Sequence, residues 1–294
     1  MMVNSSIPSL HGRIFRRLLR IMHTGLVKPW WVFMGGRKVG VFGREYRFSA
    51  ASQTFDPAAF GAGHLLEGIV AHADHVQTLA VVCDALSLPG RPVFVDVGAF
   101  HGVYAVILGK IIQEKGGQVL AVEPHAGQFA ILKENVRLNG LQDTVICENV
   151  AVADYDGQGS IQGRGNESFL TEKPSSHAET VTVTTLTTLL EKHGIDRVDL
   201  LMIDVEGAEM QVLHGLPWEK LHHGKIYCEM HPFAWKRFGT TGREIGDLLR
   251  EKKYRALDMF FQEHTEFREN LFYIGPVLLL PQWRPLAGAD QRMP

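Results

Sequence analysis

The stretch VFVDVGAFHGVYAVI, Val93 to Ile107, sets a strand, a tight turn and a helix in succession. Val93–Val97 is an apolar run of strand length that carries Asp96 near its end. Gly98 and Gly102 bracket Ala99, Phe100 and His101. From Gly102 to Glu114, Val103, Val106, Ile107 and Ile111 recur at helical spacing. Dinucleotide-binding folds read G-x-G-x-x-G at such a turn, so that bare backbone can meet a pyrophosphate. Here there are fewer glycines and an acid. A carboxylate in the turn repels a phosphate and suits a ligand with a cationic amino group.

Working outward, apolar runs keep alternating with helical patterns. Gln118–Glu123, Thr144–Glu148, Val198–Asp204 and Lys225–Met230 read as strands. Ala126–Leu138, Gly207–Leu213 and Thr241–Tyr254 read as helices, the last opening on a capping box of Thr241 and Glu244. Ala256–Phe261 and Leu271–Ile274 are expected as tail strands. The alternation predicts an α/β fold with a mostly parallel sheet covered by helices on both faces. Ligands of such sheets sit beyond the carboxyl ends of the strands.

Two regions depart from this rhythm. Residues 1–90 read as an N-terminal extension, with a strand at Lys38–Phe48 and a helix around Gly68–Leu86, ahead of a main domain over residues 91–294. Residues 154–180 are rich in Gly, Ser, Asp and Glu and are expected as a loop insertion, a hairpin followed by a mobile loop.

The bulk numbers fit a globular chain: 294 residues, 45% hydrophobic, 21% charged and a formal net charge of −2. That balance gives no global field toward nucleic acid, and no N-P-P-Y-like tetrapeptide follows the fourth strand. Cys83, Cys147 and Cys228 are scattered and read as reduced thiols of a cytoplasmic protein. No run reaches the ~18 apolar residues of a transmembrane segment. Met1–Thr24 carries Arg13, Arg16, Arg17 and Arg20 among apolar residues and lacks the apolar core and cleavage site of a signal peptide. It reads as a basic amphipathic helix that docks on its own domain or a partner, with a membrane-surface role as the alternative, and a homo-oligomer is compatible with it.

The strand ends carry the chemistry. Glu123 closes the second strand 27 residues after Asp96 and can accept from both hydroxyls of a ribose. In VDLLMIDVEGAEMQVLHGL, Asp204 ends an apolar run, and Glu206, Gly207 and Glu209 follow within one turn. Such carboxylates repel one another, so their clustering is costly unless a function requires it. Glu206 and Glu209 also suit a helix N-terminus, but Asp204 does not reach one. The next strand end, YCEMHP, brings Glu229 and His231 to the same rim, where a histidine can act as general base or join carboxylates on a metal.

From about Pro92 to Phe261 the chain resembles the FkbM family of S-adenosylmethionine-dependent methyltransferases. The resemblance is carried by FVDVGAFHGVYA, AVEPHAGQFAILKENVRLNG, NVAVAD, LLMIDVEGAEMQVLHGL and YCEMHP. It implies a seven-stranded class I methyltransferase fold, Rossmann-like. It further implies that Asp96, Gly98, Ala99 and Gly102 line the methionine end of the cofactor, with Tyr104 flanking that pocket. Glu123 would hold the ribose, Pro124 and His125 would lie near the adenine, and Asn149, Val150 and Ala151 would close over it. Asp204 would stand at the reacting centre, with Glu206, Glu209 and His231 positioning the acceptor. Two positions depart from the family pattern: Phe100 or His101 stands where Asn is frequent, and Thr187 follows Leu186 where an acid is frequent.

The function this implies is S-adenosylmethionine-dependent O-methylation of a hydroxyl on a sugar, glycan or secondary metabolite. The catalytic candidates are Asp204, His231 and Glu206. A divalent cation shared by Asp204 and Glu229 is the alternative means of activating the hydroxyl. Two rivals stand beside it. One is an NAD(P)-dependent oxidoreductase of the same fold class, disfavoured by Asp96 and the missing glycine. The other is a non-catalytic module that binds S-adenosylmethionine.

Overall fold

The computed structural model describes residues 36–41, 43–49, 51–52, 72–162, 169–171, 178–221, 224–258, 262–267 and 275–282. In chain order, a hairpin of Arg37–Val41 (β1) and Arg44–Phe48 (β2) precedes the helix His72–Ser87 (α1). Val93–Val97 (β3), Val103–Glu114 (α2), Gln118–Val122 (β4), Ala126–Leu138 (α3) and Val145–Glu148 (β5) follow. Next come Ala151–Val152 (β6), Gly157–Gln162 (β7), Phe169–Thr171 (β8), Glu179–Thr184 (β9) and Leu186–Lys192 (α4). Leu200–Ile203 (β10), Glu209–His214 (α5), Lys225–Met230 (β11), Pro232–Trp235 (α6) and Gly242–Glu251 (α7) lead to the last strands. These are Tyr254–Asp258 (β12), Glu263–His264 (β13) and Gly275–Pro281 (β14).

The main sheet has the order β13-β12-β14-β11-β10-β3-β4-β5. The run from β11 to β5 is parallel, β14 is antiparallel to both β11 and β12, and the two-residue β13 is added at the edge. These are the seven strands of a class I methyltransferase fold with one short extra strand. All of β3 and β10 is buried, as central parallel strands require when both faces are covered.

Strand alternation divides the core in two. Val95, Val97, Leu201 and Ile203 point to the face covered by Leu186, Leu189 and Leu190 of α4 and Ile245 and Leu249 of α7. Phe94, Leu200 and Met202 point to the other, against Val106, Leu108 and Ile111 of α2 and Val81, Val82 and Ala85 of α1. Each large apolar side chain so buried contributes roughly 1.5–3 kcal/mol before entropy is counted. Asp96 has the parity of Phe94, so its carboxyl is forced toward α2.

Several expected boundaries shift, each for a local reason. The strand expected over Lys38–Phe48 is the hairpin β1–β2, because the chain reverses at Gly43, whose φ is +75°. Tyr46 and Phe48 of β2 are buried with α2 and α3, and Arg44 holds Glu114 by two hydrogen bonds of 3.0 and 2.7 Å. The helix expected from Gly207 starts at Glu209, since Glu206 and Gly207 both have positive φ and cannot enter a helical turn. The helix from Thr241 has its capping box but stops at Glu251, before Lys253 at φ +58°. The final strand begins at Gly275, and Met1–Thr24 and Leu271–Ile274 lie outside the described residues.

The loop expected over residues 154–180 contributes most of a second sheet, ordered β6-β9-β7-β8. The β7–β8 hairpin is the expected part. Here β9 pairs antiparallel with β7 and parallel with the remote Ala151–Val152, around a small core of Ala151, Ala153, Ile161, Val181 and Val183. Asp156 ties this sheet to α4. It accepts from the Thr184 hydroxyl at 2.6 Å, the Thr185 N–H at 3.1 Å and the Thr188 hydroxyl at 3.0 Å.

Candidate active site

Strand order reverses between β3 and β10, since the chain proceeds from β3 toward β4 on one side and from β10 toward β11 on the other. A crevice opens beyond the carboxyl ends at such a point. It holds a cavity of about 220 Å³ bounded by Gly98, Phe100, Glu123, Pro124, Ala151, Asp204, Glu206 and Glu229. Ile161 of β7 and Leu170 of β8 also line it, so the second sheet supplies part of the wall. A second cavity of about 130 Å³ adjoins it and reaches Asp96, Ala99 and Tyr104. Gly98, Phe100, Asp204 and Glu229 border both.

The first turn is held from within. The N–H groups of Gly98 and Ala99 both donate to the Val122 carbonyl, at 3.0 and 2.9 Å, and the Phe100 N–H donates to Glu123 Oε2 at 2.9 Å. Those donors are therefore committed to β4 and its end. Glycine is needed at 98 for closeness to β10: φ is +84°, and a Cβ there would overlap the Asp204 carbonyl. Phe100 is a non-glycine residue at φ +50°, a strained conformation of the kind that collects at functional sites, and its ring stacks on His101 at 3.7 Å. Burial pulls the His101 imidazole down to about 4, so it is neutral at physiological pH.

Two acids sit deep in this turn. Asp96 is buried, and its Oδ2 has no hydrogen-bond partner among the described residues. Burial pushes its carboxyl up to about 7, against the Ala105 N–H that holds it down, and the Glu123 charge adds to the rise. Glu123 is raised to about 7 as well, chiefly by burial, with the N–H groups of His125 and Phe100 opposing. Its Oε2 and Oε1 accept from Phe100 and His125 at 2.9 and 2.8 Å, so each oxygen keeps a lone pair for a ligand hydroxyl.

The acidic block after β10 splits into an inner and an outer part. Asp204 borders both cavities; its side chain is 41% exposed, toward that space, while Oδ1 itself is buried without a hydrogen-bond partner among the described residues. Burial and then the Glu229 charge hold its carboxyl well above the usual range. Glu206, at φ +53°, turns its carboxylate toward the cavity. Glu209 faces the other way and is 0% exposed. His231, from the end of β11, stands between them. Its Nδ1 is 2.9 Å from Glu209, and its Nε2 lies 3.7 Å from Glu206, 3.8 Å from Glu229 and 3.9 Å from Asp204. Burial alone would lower the imidazole, but the Glu209 bond and the charges of Glu209, Asp204 and Glu206 carry it up to about 9. Atoms of Asp204, Glu206 and His231 able to bind a cation all lie within 4.8 Å of one another.

Of the residues singled out in the sequence, Asp96, Gly98, Ala99, Tyr104, Glu123, Pro124, Val150, Ala151, Asp204, Glu206 and Glu229 line the two cavities, and His231 adjoins them. Four are placed differently. A Cβ on Gly102 would overlap Leu132, so this glycine serves helix packing. Asn149 braces the turn by donating to the carbonyls of Glu123 and Pro124, at 2.9 and 2.8 Å. His125 caps α3, accepting from the Gly127 N–H at 3.1 Å. Glu209 is withdrawn from the cavity. Ile161 and Leu170 were missed because no local pattern links them to strand ends distant in sequence, and the site-lining role of Phe100 because its positive φ is not written in the turn's residues.

The family model described as the methyltransferase FkbM domain matches residues 96–256, which spans every strand end just described. Methyltransferase sdnD from Sordaria araneosa is 24% identical over 204 residues, 58% of this chain and 76% of that protein. Among solved structures, methyltransferase FkbM from Methylobacillus flagellatus KT is 13% identical, with a TM-score of 0.43 over 65% of this chain. This chain spans 44% of the length of that one. The METTL16 MTase domain is 14% identical, with a TM-score of 0.45 over 90% of this chain and 92% of that one. The matched stretch is more than half of the sequence, and the chain belongs to the methyltransferase FkbM domain family.

Proposed function

We propose that this chain transfers a methyl group from S-adenosylmethionine to a hydroxyl oxygen of a sugar, glycan or secondary metabolite. The observation that carries the reading is the set of acids along one crevice, Glu123, Asp96 and Asp204, with Asp96 at the turn where a dinucleotide fold would meet phosphate. The unpartnered, buried Asp96 Oδ2 suits the cofactor's ammonium, and the half-used oxygens of Glu123 suit its ribose hydroxyls. Gly98, Ala99 and Tyr104 would flank the methionine end, and Pro124, Val150 and Ala151 the adenosine. Bound there, S-adenosylmethionine supplies an electrophilic methyl on a sulfonium, whose positive charge the surrounding carboxylates favour.

The remaining chemistry falls to Asp204, His231 and Glu206. Alignment of the acceptor oxygen is their first task, since orientation accounts for much of such a rate. The hydroxyl proton needs a receiver. Near neutral pH His231 is an imidazolium, so Asp204 takes the proton while His231 balances the charge of the carboxylates around it. Asp204, whose affinity for a proton is raised by burial and Glu229, is suited to receive it, and a bound sulfonium would favour its ionised form beforehand. Residues 1–90 extend the methyltransferase domain over 91–294, and the β7–β9 insertion shapes the wall beside the acceptor.

A divalent cation on Asp204, Glu206 and His231, with Glu229 beside them, is the second reading, supported by the 4.8 Å grouping of their atoms. One assay separates the two. Transfer of labelled methyl from S-adenosylmethionine to a panel of methyl glycosides is expected for the wild type and lost in Asp204→Ala, whose thermal melt is retained. Activity that withstands EDTA supports proton transfer to Asp204. Activity abolished by EDTA and restored by Mg²⁺ supports the cation. Full activity in Asp204→Ala rules out both roles.

A further inference from the structure

We infer that Glu209 is a positioning residue that grips His231 from behind, through Nδ1, and thereby turns Nε2 toward the carboxylates of the cavity. What Nε2 is used for rests on the methyl-transfer reading; the grip itself does not. A fully buried carboxylate is costly unless donors saturate it. Glu209 has three, each from a different segment. The Gly207 N–H and His231 Nδ1 reach Oε1 at 2.8 and 2.9 Å, and Trp235 Nε1 reaches Oε2 at 2.6 Å. They come from the turn before α5, the end of β11 and α6.

Both Glu209 oxygens already accept from the Gly207 and Trp235 N–H groups, so Glu209 is the acceptor and Nδ1 carries the proton of the shared bond. That settles the ring's orientation, because flipping it would leave Glu209 Oε1 short of a donor and carry Nε2 away from its neighbours. The neighbours of Nε2 are Glu206, Glu229 and Asp204 at 3.7, 3.8 and 3.9 Å. Phe233 meets the ring edge-on, with centroids 5.8 Å apart. An acid kept only for the dipole of a six-residue helix would face solvent, whereas Glu209 is 0% exposed. The same hold serves a histidine that balances charge and one that ligates a cation, since in both cases a carboxylate behind the ring fixes the outward nitrogen.

The test needs no acceptor. The full chain, labelled with ¹⁵N-histidine, is examined by proton NMR for ring N–H signals. One slowly exchanging ring proton is expected on Nδ1 of His231, identified by its loss in His231→Ala. Glu209→Gln is expected to abolish that signal or move it upfield. Trp235→Phe removes a donor to Glu209 but keeps the histidine bond, and is expected to retain the signal. A wild-type spectrum with no slow proton on Nδ1 of His231 would overturn the inference without any variant, so a Glu209→Gln chain that fails to fold does not leave it undecided. An unchanged signal in a folded Glu209→Gln chain would overturn it too. Calorimetry with S-adenosylmethionine on the same wild-type sample keeps the two readings apart: absence of binding counts against methyl transfer and leaves the histidine result standing.

Discussion

At Asp96 the backbone places a carboxylate on the α2 side of the sheet, out of water and with one oxygen unmatched. The folded carboxyl holds its proton up to about pH 7, against 3.8 in an ordinary environment, and burial is the main cause. The sign follows by linkage: a raised acid favours the folded state at low pH, and that advantage is lost as pH rises through the folded value. Asp96→Asn removes the charge and keeps most of the shape. It is expected to stabilise the ligand-free protein by about 2 kcal/mol at pH 8, a gain that fades toward pH 4, while weakening S-adenosylmethionine binding. Urea melts at the two pH values check the first part, and equal effects at both would contradict it. The position of Asp96, Glu123 and Asp204 was legible because strand ends can be read from apolar runs. The role of Glu209 was not: an acid in a first helical turn looks the same whether solvent or Trp235 and His231 surround it.

Among the elements, β3 and β10 were plain in the sequence because buried parallel strands are continuous apolar runs. The second sheet was not, since GQGSIQ is short, polar and rich in glycine, and β9 pairs back across the insertion to β6. The contact between the two legible strands is tight at Gly98, where a Cβ would overlap the Asp204 carbonyl. Gly98→Ala must part β3 from β10 and force an alanine to a left-handed φ. A destabilisation of about 2–4 kcal/mol is expected, with at least a tenfold loss of cofactor affinity. Denaturant melts and calorimetry measure the two effects, and near-wild-type values in both would show that the strands do not approach as described.

Over the whole molecule, a net charge of −2 conceals an uneven distribution: Asp96, Glu123, Asp204, Glu206 and Glu229 border the two adjoining cavities, with Glu209 buried behind His231. Periodicity predicted the alternating layers. The strand order, with β14 inserted antiparallel between β11 and β12, follows from the family resemblance, because periodicity does not encode which strands are neighbours. The packing of β1–β2 on α2 and α3 was also illegible, since it depends on pairs such as Arg44–Glu114, 70 residues apart. In the proposed reading, Asp96 at β3 and Asp204 beyond β10 favour a cationic cofactor over a dinucleotide, while Glu123 would hold a ribose in either. Isothermal calorimetry with S-adenosylmethionine and with NAD tests this most directly. S-adenosylmethionine is expected to bind the wild type, with affinity reduced at least tenfold in Glu123→Gln, and NAD is expected to give no heat. Binding of NAD without S-adenosylmethionine would contradict the assignment.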